Sequence, residues 1–229
     1  MAGKPTTDFL EAQTFLKEKF KGHSAPDVLS RTLDELQPKT GWSLINELIQ
    51  NAIDIKATNI SFSYSNSGDL KFQHNADIEK YPLDSKSIQG LCGVAESTKG
   101  LSTVGFMGVG FKFFIKFFKS VTVSDRNTCF KINYPVGTGW QAKLESLYSP
   151  KWINNGEKPD EGFTTSFYFE GLIDEMGGPS HSFNAVIKSL SNLSLPPVNK
   201  ALSSNAAFFA LSFPSLSSRI SNIADARTL

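Results

Sequence analysis

The stretch Gly105-Phe106-Met107-Gly108-Val109-Gly110-Phe111 places three glycines ahead of a segment with helical spacing. Glycine lets backbone N–H groups close on a phosphate, and the N-terminus of a following helix adds favourable partial positive charge. Lys112 follows at once, and Ser97-Thr98-Lys99 lies just upstream, offering two hydroxyls and a cation suited to phosphate contact. Taken singly these signals are weak, because glycine turns before helices and exposed Ser-Thr-Lys turns are common.

A second constellation lies in Trp42-Ser43-Leu44-Ile45-Asn46-Glu47-Leu48-Ile49-Gln50-Asn51-Ala52-Ile53-Asp54. At helical pitch Glu47, Asn51 and Asp54 fall within about 60° of one another. Leu44, Ile45, Leu48, Ile49 and Ala52 take the neighbouring arc, so one side is apolar while a carboxylate and an amide share an edge. A polar stripe alone is most often a solvated face. The order along the chain is more informative: this helix, a strand, the polar turn His74-Asn75-Ala76-Asp77, the Ser-Thr-Lys segment, then G-x-x-G-x-G-F.

Over residues 40–170 that order resembles the superfamily of gyrase, heat-shock-ninety chaperones, histidine kinases and MutL (GHKL). Glu47 to Asp54 looks like the family's first motif, and residues 55–60 are similar to the helix-to-strand passage of MutL-like members. The resemblance implies that Glu47 is the general base that activates water and that Asn51 holds Mg²⁺, with Asp54 on the same nucleotide-facing edge. It implies that Gly105, Gly108, Val109, Gly110 and Phe111 form a lid loop around the phosphates, joined by Lys112 and by Ser97, Thr98 and Lys99. Thr165 resembles the late threonine near adenine. The family's second motif, D-x-G-x-G, carries an Asp that accepts from the adenine amino group, whereas the matching stretch here is His74-Asn75-Ala76-Asp77. The alternatives are adenine reading by His74 or Asn75, substitution by Asp77, or a relaxed base preference. The H-N-small pattern followed by S-T-K and G-x-x-G-x-G-F-K resembles the sacsin-like branch.

The fold so implied is an α/β (α+β) two-layer sandwich, the Bergerat fold, with a mixed, mainly antiparallel sheet and helices packed on one face. The implied activity is Mg-ATP binding and slow ATP hydrolysis coupled to lid closure, driving a larger protein or complex through a partner or self-association. Hydrolysis is expected over phosphotransfer, because kinases of the superfamily commonly lack a Glu at this position. The competing expectations are a nucleotide sensor without turnover and a ligand-free interaction module.

Several elements must position these residues. Apolar periodicity predicts helices over residues 9–20, 25–36, 40–57, 85–91, 111–118 and 181–193. Alternation predicts strands over residues 59–64, 70–74, 120–124, 128–134, 140–144 and 164–170, with a hairpin turn at 65–69 and a polar loop at 150–162. The expected organisation is an N-terminal helical segment over 1–38 packed on the core, an ATP-binding core over 39–175, and a C-terminal helical extension over 176–229 leading toward a further domain.

Composition narrows the class. The 229 residues are 40% hydrophobic and 20% charged, with 19 Phe against 5 Tyr and 3 Trp, which predicts Phe-rich core layers. A formal net charge of +1 gives no global electrostatic case for nucleic acid or an anionic membrane. Cys92 and Cys129 lack metal-site spacing and are too few for a disulfide scaffold. No apolar run reaches the ~20 residues of a membrane span, and the expected location is cytoplasmic.

Overall fold

The computed structural model describes residues 4–22, 42–65, 67–93, 111, 114–133, 148–154, 156–173, 202–203 and 206–212. Helix α1, Thr7–Gly22, starts where the Thr6 hydroxyl accepts from the Phe9 N–H at 3.3 Å, and it buries Phe9, Ala12 and Leu16 along one side. Helix α2, Trp42–Asp54, buries Leu44, Ile45, Leu48, Ile49 and Ala52, the predicted apolar arc. It ends before the expected position 57 because Lys56 turns left-handed, at φ 61°. There Lys56 N–H donates to Ile53 O at 3.0 Å and Ala57 N–H to Ala52 O at 2.9 Å, a Schellman closure in which Ala52 and Ala57 are both buried.

Strands β1, Asn59–Ser65, and β2, Leu70–His74, form the predicted hairpin, with Gly68 at φ 87° in its turn. Helix α3, Ser85–Cys92, is capped by Asp84, whose carboxylate accepts from Ser87 N–H at 2.7 Å. The remaining elements are α4, Phe114–Phe117, then β3, Phe118–Ser124, β4, Cys129–Asn133, β5, Lys151–Trp152, β6, Thr165–Leu172, β7, Leu202–Ser203, and β8, Ala206–Ser212. The strands form one open sheet in the order β5-β4-β3-β6-β2-β1-β8-β7. Every neighbouring pair is antiparallel, so the described sheet has no parallel component.

Register sorts the side chains into two faces. Phe62, Phe72, Phe167, Val123 and Phe130 lie in one row across β1, β2, β6, β3 and β4, and Leu70, Phe169, Val121 and Ile132 lie in the next. These residues join the buried residues of α1, α2, α3 and α4 in a single hydrophobic core. Phenylalanines build much of it: Phe62 meets Phe72 at 4.7 Å between ring centroids and Phe118 meets Phe169 at 5.3 Å, the Phe-rich packing expected from composition. The opposite rows are polar, running Ser61, Gln73, Ser166 and Ser124, and Ser63, Lys71, Tyr168, Thr122 and Lys131.

Three further expectations differ from the structure. The helix predicted over 111–118 is helical over Phe114–Phe117, and Phe118 already pairs with Leu172, so cross-strand pairing overrides local helical spacing. The polar loop at 150–162 contains β5, held by the Phe130–Trp152 pair. The C-terminal extension expected to be helical contains strands β7 and β8, because the backbone over Ala206–Ser212 pairs with the outer edge of β1. The segments 25–36, 140–144 and 181–193 lie outside the described residues. Among the described residues, no helix is long and apolar enough to cross a membrane.

Candidate functional site

Helix α2 carries Glu47, Asn51 and Asp54 half-buried beside its fully buried arc. Asn51 Nδ2 donates to Glu47 Oε1 at 3.2 Å, one helical turn away. The Asn51 amide nitrogen is thus turned to the carboxylate, on the edge of α2 that borders the buried arc. Among the described residues no group of three or more His, Cys, Asp or Glu side chains could hold a metal ion.

Two buried polar residues stand together at the end of the sheet's apolar face. His74 closes β2 and Thr165 opens β6; the two are direct cross-strand partners, each 5% exposed. The imidazole lies between Phe72 and Phe167, each 6.1 Å away between centroids, and its Nδ1 accepts from the Ala76 N–H at 3.4 Å. Burial among these rings lowers the His74 pKa to about 4, so the ring is neutral at pH 7. Phe111, the last residue of the glycine stretch, is buried against Phe167 at 5.5 Å. The downstream end of that stretch is thereby anchored on the ring that also touches His74.

The other members of the polar turn have structural occupations. Asn75 Oδ1 accepts from the N–H groups of Thr58 and Asn59 at 2.9 and 2.8 Å, and Asn75 Nδ2 donates to Thr58 Oγ1 at 2.9 Å. Asn75 thus ties the end of β2 to the loop leaving α2, a role that takes its amide away from reading a base. Asp77 is exposed, accepts from Glu79 N–H at 3.0 Å and pairs with Lys80 at 3.4 Å, which makes it a turn residue. Ser97, Thr98, Lys99, Gly105, Gly108, Val109, Gly110 and Lys112 lie outside the described residues.

Thr164 is a residue that sequence reasoning passed over. Its hydroxyl donates to Ala76 O at 2.6 Å and lies 3.1 Å from His74 O, and its N–H donates to His74 O at 2.9 Å. It clamps the turn that carries His74, and its signal was the Thr-Thr pair at 164–165. On the polar face, Asp160 receives Lys71 Nζ and Gln73 Nε2, each at 2.7 Å, while Gln73 Oε1 accepts from Asp160 N–H at 2.8 Å. Burial alone would lower the Lys71 pKa, but hydrogen bonds to Asp160 and Glu157 outweigh it and hold the ammonium above its ordinary value. This network fastens the loop ahead of β6 to β2.

No protein-family model matches this chain, and no curated protein matches it in sequence.

Proposed function

We propose that this chain binds a purine nucleoside triphosphate with Mg²⁺, ATP being the nucleotide that the family resemblance implies, and hydrolyses it slowly. The observation that carries the reading is the Asn51–Glu47 hydrogen bond on the half-buried edge of α2. Phosphoryl transfer to water needs an oriented water, charge neutralisation and N–H donors around the phosphates. Glu47 orients and deprotonates the water, and Asn51 holds the carboxylate in position while offering its carbonyl oxygen to the cation. An amide oxygen and a carboxylate are hard donors, and Mg²⁺ takes few protein ligands when phosphate oxygens and waters complete its shell. The donor set therefore fits the ion without a larger acidic cluster. Bound Mg²⁺ supplies charge neutralisation at the phosphates.

The base lies at the His74–Thr165 end of the sheet, and the glycine stretch ahead of Phe111 closes over the phosphates as a lid. The fold is read as the two-layer Bergerat sandwich, its helices on the apolar face of the sheet. Lid closure passes the nucleotide state to a larger protein or complex, through a partner or a second copy. A second reading, nucleotide sensing without turnover, is favoured by one observation: His74-Asn75-Ala76-Asp77 stands where the family has D-x-G-x-G.

Calorimetry with Mg-ATP and Mg-GTP on wild type and Asn51→Ala, with phosphate release from wild type and Glu47→Ala, tests the proposal. Binding lost with Asn51 and turnover lost with Glu47 is the expected result. Binding without turnover selects the sensor reading, and absence of binding by wild type overturns both.

A further inference from the structure

His74 and Thr165 are each 5% exposed, yet both keep hydrogen-bonding capacity. Among the described residues, the His74 ring has the Ala76 N–H as its partner, at Nδ1, and neither Nε2 nor Thr165 Oγ1 is hydrogen-bonded. No fully buried side-chain nitrogen or oxygen among those residues lacks a partner, so Nε2 and Oγ1 both reach the molecular surface. Two adjacent polar atoms at the rim of a Phe-lined interior are suited to a flat heteroaromatic ligand with polar edges.

The hydrogen-bonding sense of His74 is fixed. Because Nδ1 accepts from Ala76 N–H, the ring hydrogen sits on Nε2, and protonation of Nδ1 would leave Nε2 a donor as well. An exocyclic amino group opposite Nε2 would set donor against donor, whereas a carbonyl oxygen would be satisfied. The neighbouring candidates do not supply the missing acceptor: Asn75 Oδ1 is occupied by Thr58 and Asn59, and Asp77 is an exposed turn residue paired with Lys80.

We propose that the nucleotide pocket selects a 6-oxopurine, hypoxanthine or guanine, over adenine, with His74 Nε2 donating to the O6 carbonyl and the Thr165 hydroxyl beside it. The inference rests on the reading that this end of the sheet holds the base of a Mg-bound triphosphate. A buried donor facing a substrate donor goes unsatisfied, which is the strong form of discrimination by polar groups.

The test is calorimetric titration of the full chain with ATP, ITP and GTP in Mg²⁺, and of His74→Asp with ATP and ITP. ITP and GTP should bind at least about tenfold more tightly than ATP to wild type. His74→Asp, which puts an acceptor in place of the donor, should shift the preference toward ATP. If His74→Asp fails to fold, the wild-type ratio decides alone. ATP binding as tightly as ITP, or more tightly, overturns the base inference and leaves the triphosphate site standing. No binding of any of the three overturns the site and the inference together.

Discussion

Asn51 Nδ2 donates to Glu47 Oε1 across one turn of α2, at 3.2 Å, so the carboxylate is held by the same side chain that would offer its carbonyl oxygen to a cation. The pairing separates two roles that substitutions can divide. Glu47→Gln keeps an oxygen able to accept from Asn51 but cannot take a proton. It should bind Mg-nucleotide within about twofold of wild type and lose about 100-fold or more in phosphate release. Asn51→Ala should instead lose Mg-nucleotide binding itself, read by calorimetry. Full turnover in Glu47→Gln, measured by phosphate release at saturating nucleotide, would remove Glu47 from the role of base.

Asn75 holds two backbone N–H groups and one hydroxyl of the loop between α2 and β1. Removing the amide leaves the half-buried Asn59 N–H without its acceptor, while the exposed Thr58 N–H turns to water, so Asn75→Ala should lower unfolding free energy by about 1 kcal/mol. Asn75→Asp retains the acceptor for Thr58 and Asn59 N–H and should cost less than half as much. Denaturant unfolding measures both. Equal losses in the two variants would show that the acceptor is not what matters.

How much of this was legible in the sequence depends on the range of the contacts. Glu47 and Asn51 are four residues apart on a helix with a clear apolar arc, so their adjacency follows from helical pitch alone. The β1–β2 hairpin and β6 were readable because their alternation matches one buried face. The His74–Thr165 partnership depends on β2 pairing with β6, strands far apart in the chain, and local pattern carries no such information. Strand β8 escaped for the same reason: its run Ala206 to Ser212 does not alternate, and its place follows from pairing with β1. The occupations of Asn75 and Asp77 were hidden too, since residue type tells that an amide or carboxylate can bond but not which neighbour reaches it first.

His74 predicts an acid sensitivity. Its folded pKa of about 4 lies below the ordinary 6.5, so between those values the unfolded chain binds the proton and the folded chain does not. Stability is therefore complete above pH 6.5, falls as pH drops through that window, and levels off below about 4. The full difference for a group this buried is about 3 kcal/mol. Urea unfolding of wild type and His74→Gln at pH 7.0, 5.5 and 4.5 isolates it. The gap between the two proteins should shift in favour of the Gln variant as pH falls, and parallel pH profiles would place the proton elsewhere.

Lys56 offers the opposite case, a position where the native residue costs stability. It sits at φ 61°, the left-handed position of the α2 closure, where a Cβ is unfavourable and glycine is the usual occupant. The backbone hydrogen bonds of the closure, Lys56 N–H to Ile53 O and Ala57 N–H to Ala52 O, survive any side-chain change. The side chain is exposed, so little packing is lost with it. Lys56→Gly should raise stability by about 0.5–1 kcal/mol, the relief of left-handed strain reduced by glycine's greater freedom in the unfolded chain. Lys56→Ala, with the Cβ retained, should show no such gain. Because Glu47 and Asn51 lie in the same helix on the far side of this closure, nucleotide affinity should be equal in all three proteins. A destabilised Lys56→Gly variant in thermal unfolding would mean that the lysine side chain makes a compensating contribution greater than the strain it imposes.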